Sequence, residues 1–227
     1  MIEQLHPRII ENKDWATLLF VLAFAVVAIT KSAYENRFSE FTKLIFSDKY
    51  VKIYRDVSHL KSSFTVGLFF VQIISYAFFI QLTMHIFKFP ESGYATKSDW
   101  MLFTQIATLL TYFILAKYLI EKIIGTAFNI DEFVDLFNLQ KATYRTYIGL
   151  LILPVNAILF YNNNVPKSIP LAIIGVSACI SMFSYFISIK TYQNTIINKL
   201  FYFILYLCAL EIAPYYFLYY WITKEVA

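Results

Sequence analysis

Six long apolar stretches, each poor in charged residues, divide the chain. They cover residues 15–30, 62–87, 100–124, 146–161, 171–189 and 200–223. A helix needs about 20 apolar residues to cross the hydrocarbon core of a bilayer, and these stretches have that length or reach it with their flanking residues. Strands of a membrane β-barrel alternate apolar and polar side chains, whereas runs such as FVLAFAVVAI and IGLLILPV do not. The pattern predicts an all-α polytopic membrane protein with six transmembrane helices, forming a single membrane-embedded domain over residues 1–227.

The composition excludes a soluble protein. Hydrophobic residues make up 59% of the 227 residues and charged residues 15%, against about 45–50% and about 25% in typical soluble domains. A soluble domain of this size could not bury that much apolar surface, and the remainder would form aggregating patches. The net charge of +4 does not indicate nucleic-acid binding, because the basic residues are not gathered on a soluble domain. The expected surrounding is the lipid bilayer.

The Lys and Arg residues lie mainly on one side of the six predicted helices. Of the 19 in the chain, 13 fall in the loops after the first, third and fifth helices, and 6 fall on the other side. Short loops rich in Lys and Arg stay in the cytoplasm, so both termini are predicted to lie outside. Trp15, Trp100 and Trp221 agree, because Trp prefers the membrane interface and all three lie at the outer ends of their helices.

Two cytoplasmic segments, 47–61 and 129–141, are predicted to form amphipathic helices, because their apolar residues recur at helical spacing. A basic helix of this kind usually lies on the anionic inner leaflet or packs against the bundle. The other interpretation is a docking face for a partner protein. The residues assigned to this membrane-surface or docking role are Lys49, Lys52, Arg55, Tyr50, Ile53, Tyr54, Phe133 and Phe137.

Common catalytic signatures are absent from the sequence. There is no GxxxxGK phosphate loop, no GxGxxG, no HExxH and no GxSxG. The three His residues are isolated, and the two Cys residues lie inside apolar runs without metal-ligand spacing. The sequence therefore favours a non-enzymatic protein and predicts no catalytic residues, no metal site and no cofactor.

Glu211 is the one acidic residue near the middle of a predicted span. An ionised carboxylate in hydrocarbon costs at least about 2–3 kcal/mol, so such residues usually face the bundle interior and often mark function. Pro214 follows it, and Pro154 interrupts the fourth span in the same way, each depriving a backbone carbonyl of its helical partner. The predicted intramembrane polar site consists of Glu211, Pro214, Asn156, Pro154 and Gln72.

Three interpretations of Glu211 stay open at this level. A protonated Glu that hydrogen-bonds a neighbouring helix would fix the packing of the bundle. A Glu between two broken helices would handle a proton or a substrate. The third interpretation is a contact between subunits. In each case Glu211 is expected to face Asn156, Gln72 or a freed carbonyl, away from lipid.

Three segments carry a resemblance to a known family. YRTYIGLLILP (144–154), KYLIEKIIGTAF (117–128) and above all YLCALEIAPYY (206–216) resemble an uncharacterised family of polytopic inner-membrane proteins from Bacteroidota, catalogued as a domain of unknown function. The likeness covers almost the whole chain. It implies a Gram-negative inner membrane with a periplasm outside, and no established activity, cofactor or partner.

Two functions are compatible with these features. The first is a non-enzymatic subunit or assembly factor of a cell-envelope complex of the secretion, motility or respiratory type, with other membrane proteins as partners. It is favoured by the missing catalytic motifs and the two predicted amphipathic helices. The second is a small carrier or enzyme for a lipid or lipid-linked substrate, with Glu211 as its working acid. It is favoured by the midplane carboxylate and the proline-broken helices.

The charge asymmetry generates a topology prediction. Alkaline phosphatase folds only in an oxidising compartment, so a fusion after Ala227 should be active and a fusion within residues 129–141 should be inactive. Phosphatase activity per unit of fusion protein is the measurement. The opposite pattern would contradict the assignment of the 13 basic residues to the cytoplasm.

Overall fold

The described part of the chain is all-α. The computed structural model describes residues 13–44, 50, 53, 62–87, 99–127, 131–162 and 165–191, with the side chains of 131–133 and 183–191 left out. The helices in these ranges are α1 Asp14–Ala33, α2 Glu35–Thr42, α3 Ser63–Phe87, α4 Trp100–Ala127, α5 Asp131–Tyr161 and α6 Ser168–Thr191. Tyr50 and Ile53 are also helical.

The long helices fall where the hydropathy places them. Among the described residues, four segments are long and apolar enough to cross a membrane, namely α1, α3, α4 and the part of α5 from Val134 to Tyr161. Helix α6 is apolar over Ser168–Met182. The predicted sixth span, 200–223, lies outside the described residues, as does most of the predicted surface helix at 47–61.

The predicted amphipathic helix at 129–141 is not a separate element. Helix α5 runs without interruption over 31 residues, a length of about 46 Å at 1.5 Å per residue. Polar residues in its first turns are buried instead of facing solvent, with Asp135 8% and Asn138 3% exposed. Phe137, predicted to lie on a docking surface, is 3% exposed. These turns pack against α4, as the bundle-packing interpretation expects, and they continue directly into the fourth apolar stretch, which a helical period alone does not reveal.

Consecutive long helices run in opposite directions. The first residues of α1 and α4 meet, with the rings of Trp15 and Trp100 5.3 Å apart, and Trp15 also contacts Phe160 at the end of α5. At the opposite end, Lys141 of α5 reaches Glu121 of α4. We call these the aromatic end and the charged end of the bundle. Chain connections therefore alternate between the two ends, as expected for helices that cross a bilayer in turn.

An aromatic cluster holds the aromatic end together. Phe78 of α3 is fully buried. Its ring lies 4.3 Å from that of Phe20, 4.6 Å from Phe103 and 5.7 Å from Phe160, so α1, α3, α4 and α5 all contribute. Aromatic pairs at such separations add about 0.5–1.5 kcal/mol each beyond the area they bury. The cluster thus joins four helices through a single side chain of α3.

Helices α3 and α5 run in the same direction and approach closely at Gly149. A Cβ atom built on Gly149 would lie 3.1 Å from Cγ and 3.2 Å from Cα of Gln72. The Cα of Gln72 is a backbone atom, so it could make room for a methyl group on residue 149 only if the whole of α3 moved away. Gly149 therefore sets the spacing of the two most buried helices.

The glycines of α5 and α6 offer a matched test of this spacing. Gly149→Ala should lower stability by about 1–3 kcal/mol, because the added methyl group overpacks the α3–α5 contact. Gly175→Ala should be neutral or stabilise by up to about 1 kcal/mol, because nothing lies within 4 Å of its Cβ and Ala favours the helix. Thermal unfolding of both variants in detergent measures the difference. Equal midpoints would show that Gly149 does not set the helix spacing.

Candidate functional site

A seam of polar side chains lies between α3 and α5. We call Gln72, Ser75, Thr146 and Asn156 the polar seam. The hydroxyl of Thr146 donates to Oε1 of Gln72 at 2.8 Å, and Nδ2 of Asn156 donates to the carbonyl oxygen of Ser75 at 2.7 Å. All four residues are buried, with Asn156 0% and Gln72 1% exposed. The structure thus brings Gln72 and Asn156, which the sequence assigns to one intramembrane polar site, onto one helix interface.

Two polar atoms of this seam have no hydrogen-bond partner among the described residues. They are Nε2 of Gln72, a donor, and Oδ1 of Asn156, an acceptor. A buried polar atom left unpaired costs about 1–3 kcal/mol. The seam therefore has one unpaired donor on Gln72 and one unpaired acceptor on Asn156, each of which a polar group such as a neutral carboxyl or a water molecule could pair separately.

Pro154 lies within the same stretch of α5 and does not end the helix. Its ring nitrogen has no hydrogen to donate to the carbonyl of Leu150, so a backbone acceptor is freed about 9 Å along the helix from Asn156. Three of the five predicted site residues, Gln72, Pro154 and Asn156, thus belong to the α3–α5 region. Glu211 and Pro214 lie outside the described residues, and their part in the site stays a prediction.

Two ion pairs join α4 to α5 at the charged end. Lys141 Nζ lies 2.7 Å from Oε1 of Glu121, which is 2% exposed. Lys122 Nζ lies 2.5 Å from Oδ2 of Asp135. The carboxylate of Glu121 is therefore buried with its counter-ion, and removing a single partner of a buried pair typically costs about 3–5 kcal/mol. Sequence reasoning missed both pairs, because the four residues became neighbours only when α5 extended along α4.

Arg37 links α2 to the start of α3. Its guanidinium donates to the hydroxyls of Ser62 at 2.8 Å and Thr65 at 3.3 Å. It also donates to the phenol oxygen of Tyr50 at 3.3 Å, and its charge lies 4.5 Å from the ring centre of Phe64. Arg37 is 9% exposed, so this basic side chain is buried in the bundle and makes its hydrogen bonds there.

The residues assigned to a docking surface at 47–61 have different surroundings where the structure describes them. Tyr50 is 4% exposed and contacts Phe41 edge-on at 5.5 Å, so it packs into the bundle. Ile53 is 60% exposed. Lys49, Lys52, Tyr54 and Arg55 lie outside the described residues, as does the side chain of Phe133.

Two cavities lie near these elements. One, of about 20 Å³, is lined in part by Arg37, Thr65 and Thr146 and has room for about one water molecule. The other is an open groove of about 250 Å³ between α5 and α6, lined almost wholly by aliphatic side chains such as Ile152 and Val176. In the described part of the chain, no group of three His, Cys, Asp or Glu residues is placed to hold a metal ion.

The described residues form an all-α fold in which four long helices are apolar enough to cross a membrane. The family described as Domain of unknown function (DUF4271) matches residues 16–222, and the chain belongs to this family. The resemblance to an uncharacterised family is confirmed in this form. Comparison with curated proteins and with solved structures gave no match.

Removing one hydroxyl tests the polar seam. Thr146→Val keeps the shape of the side chain and leaves Oε1 of Gln72 without its donor, so stability should fall by about 0.6–2 kcal/mol. Thr104→Val is the control, because the Thr104 hydroxyl is exposed and bonds the carbonyl of Trp100 in its own helix. It should change stability by less than about 0.5 kcal/mol. Unfolding midpoints in detergent give both values, and a Thr146 variant as stable as its control would contradict the role of the seam.

Proposed function

We propose that this protein is a non-enzymatic integral subunit or assembly factor of a cell-envelope complex. The proposal rests on one observation: buried polar side chains pair between helices. Thr146 with Gln72, Asn156 with Ser75, and Lys141 with Glu121 each join one helix to another. Groups of this kind fix the packing of membrane helices, and a rigid bundle is what a structural subunit presents to its neighbours.

The proposed location is the inner membrane of a Gram-negative bacterium of the Bacteroidota type, with six spans and both termini in the periplasm. Two observations support this orientation. Trp15 and Trp100 share the aromatic end, as interfacial Trp residues on one side of a membrane would. Lys122 and Lys141 share the opposite end, where the 13-to-6 distribution of basic residues places the cytoplasm.

Partner contacts are proposed for the cytoplasmic face beside the charged end. Ile53 is a large apolar side chain left 60% exposed, close in sequence to Lys49, Lys52 and Arg55. An apolar residue among basic ones fits an acidic partner surface or the anionic leaflet. Tyr50, which packs against Phe41, would anchor this segment to the bundle.

The alternative proposal is a small carrier or enzyme for a lipid or lipid-linked substrate, with Glu211 as its working acid. Two observations favour it. Nε2 of Gln72 and Oδ1 of Asn156 lack partners among the described residues, as polar groups that meet a carboxyl or a substrate would. The aliphatic groove between α5 and α6 has the chemistry of an acyl-chain site.

One experiment separates the two proposals. The tagged protein is purified from its native membranes in a gentle detergent, and proteins and lipids in the eluate are identified by mass spectrometry. Glu211→Gln is purified in parallel, because Gln keeps the shape and hydrogen bonding of the side chain and cannot exchange a proton. For a structural subunit, we expect the same membrane proteins at near-stoichiometric amounts with both forms.

Two results would contradict the subunit proposal. A protein that elutes without protein partners and carries a polyprenyl lipid or phospholipid, lost in the Glu211→Gln form at unchanged membrane levels, would replace the subunit proposal with the carrier or enzyme proposal. An eluate with neither partners nor lipid would contradict both.

A further inference from the structure

Helix α4 is the least buried of the candidate membrane spans. Only 11% of its apolar window is buried within the chain, against 50% for α3 and 56% for α5. It contacts the bundle through a narrow strip that includes Phe103, Ile114 and Glu121. No other described helix covers the rest of the α4 surface, which faces away from the described part of the bundle.

The outward face of α4 carries a regular stripe. Its members recur at alternating intervals of four and three residues, the spacing that keeps side chains in line along one face when two helices pack at a small crossing angle. All are exposed: Tyr112 is 75%, Met101 70%, Leu119 58% and Leu115 49% exposed, and Gln105 and Thr108 are also exposed. We call this the α4 stripe, and its residues are Met101, Gln105, Thr108, Tyr112, Leu115 and Leu119.

Three consecutive members of the stripe are polar at a depth where polar groups are disfavoured. Tyr112 lies 12 residues from Trp100, about 18 Å along the helix, which is near the middle of a hydrocarbon core about 30 Å thick. Tyr is normally enriched at the interface, not at this depth. Thr108 lies about one turn, and Gln105 about two turns, closer to the aromatic end. Side chains of this kind associate membrane helices, because hydrogen bonds across a helix pair replace contacts with hydrocarbon.

We propose that the α4 stripe is a contact surface between two copies of this chain, packed as a parallel pair of α4 helices. The proposal rests on the membrane embedding set out under Proposed function. It goes beyond that function, because the surface is assigned to a second copy and not to another subunit of the complex.

The chemistry of the stripe selects a second copy as the occupant. All copies of a membrane protein insert in one orientation, so a two-fold axis along the membrane normal places each stripe residue opposite its own counterpart at the same depth. The amide of Gln105 carries both donors and an acceptor, and the hydroxyls of Thr108 and Tyr112 each donate and accept. Each polar group can therefore pair with its own copy. Thr108 donates to the carbonyl of Thr104 at 2.7 Å, so a pair of Thr108 hydroxyls forms when one of the two turns its hydrogen to the oxygen of the other, which accepts it.

Cysteine cross-linking in native membranes tests the pairing. In a Cys179→Ser, Cys208→Ser background, single substitutions Gln105→Cys, Thr108→Cys and Tyr112→Cys are oxidised with copper phenanthroline. Leu109→Cys is the matched control, because Leu109 is 60% exposed at the depth of Thr108 but lies off the stripe. Phe103→Cys is the buried control. We expect a disulfide-linked dimer at the stripe positions at least about fivefold more abundant than at Leu109 or Phe103.

A second variant measures the contribution of the amide. Gln105→Leu removes the hydrogen bonds and keeps the bulk, so it should weaken dimerisation about tenfold, whereas Gln105→Asn should retain dimers. The dimer fraction is followed by energy transfer between labelled copies as the protein is diluted with lipid. An unchanged dissociation constant for Gln105→Leu would overturn the role of the stripe.

The remaining outcomes also decide the matter. Cross-linking that is equal at Leu109 and at the stripe, or absent from all positions at wild-type membrane levels, overturns the pairing and leaves the subunit proposal intact. A cross-link to a different protein overturns the second copy as occupant while supporting a complex. Absence of the chain from carbonate-washed membranes would overturn both the pairing and the membrane location on which it rests.

Discussion

Hydrocarbon offers no hydrogen-bond partner, so each polar group carried into a bundle of membrane-spanning helices depends on another helix for one. The α3–α5 interface shows the consequence. Gly149 lets the backbones approach closely enough for the Thr146 hydroxyl to reach Gln72, and Asn156 bonds the backbone of Ser75. These contacts fix both the distance and the register of the two helices. The positions of α1, α4 and α6 follow, because each packs against α3 or α5.

The two ends of the bundle are held by different interactions. At the aromatic end, stacked and edge-on rings around Phe78 provide broad, non-directional burial. At the charged end, the contacts are directional. Lys141 forms an ion pair with Glu121, and Arg37 donates hydrogen bonds to Ser62 and Thr65. This division suits helices that end in different interfaces, since rings tolerate the lipid boundary while ion pairs need exact partners to offset desolvation.

Two sets of polar groups are incompletely paired among the described residues. Inside, Nε2 of Gln72 and Oδ1 of Asn156 have no hydrogen-bond partner among the described residues, so further polar groups would complete the seam there. Outside, Gln105, Thr108 and Tyr112 face away from the bundle. The first observation concerns how one copy is completed, and the second concerns what lies beside it. In the membrane embedding proposed above, lipid satisfies neither set of polar groups, so both identify positions where a neighbouring polar group is expected.

The sequence by itself determined the all-α class, the approximate ranges of the long helices that the structure describes, and the two polar residues Gln72 and Asn156 as interior groups. Helix ranges depend on local hydropathy, and a polar residue within an apolar run must be buried or paired wherever it lies. Only the tertiary structure decided that the segment after residue 130 continues into α5, that Phe137 is buried, and that Glu121 pairs with Lys141. It also decided which face of α4 points outward. These features depend on contacts between residues distant in the chain. The side chains of a membrane helix are apolar nearly all around its axis, so the sequence of such a helix does not show which of its faces packs against a neighbour.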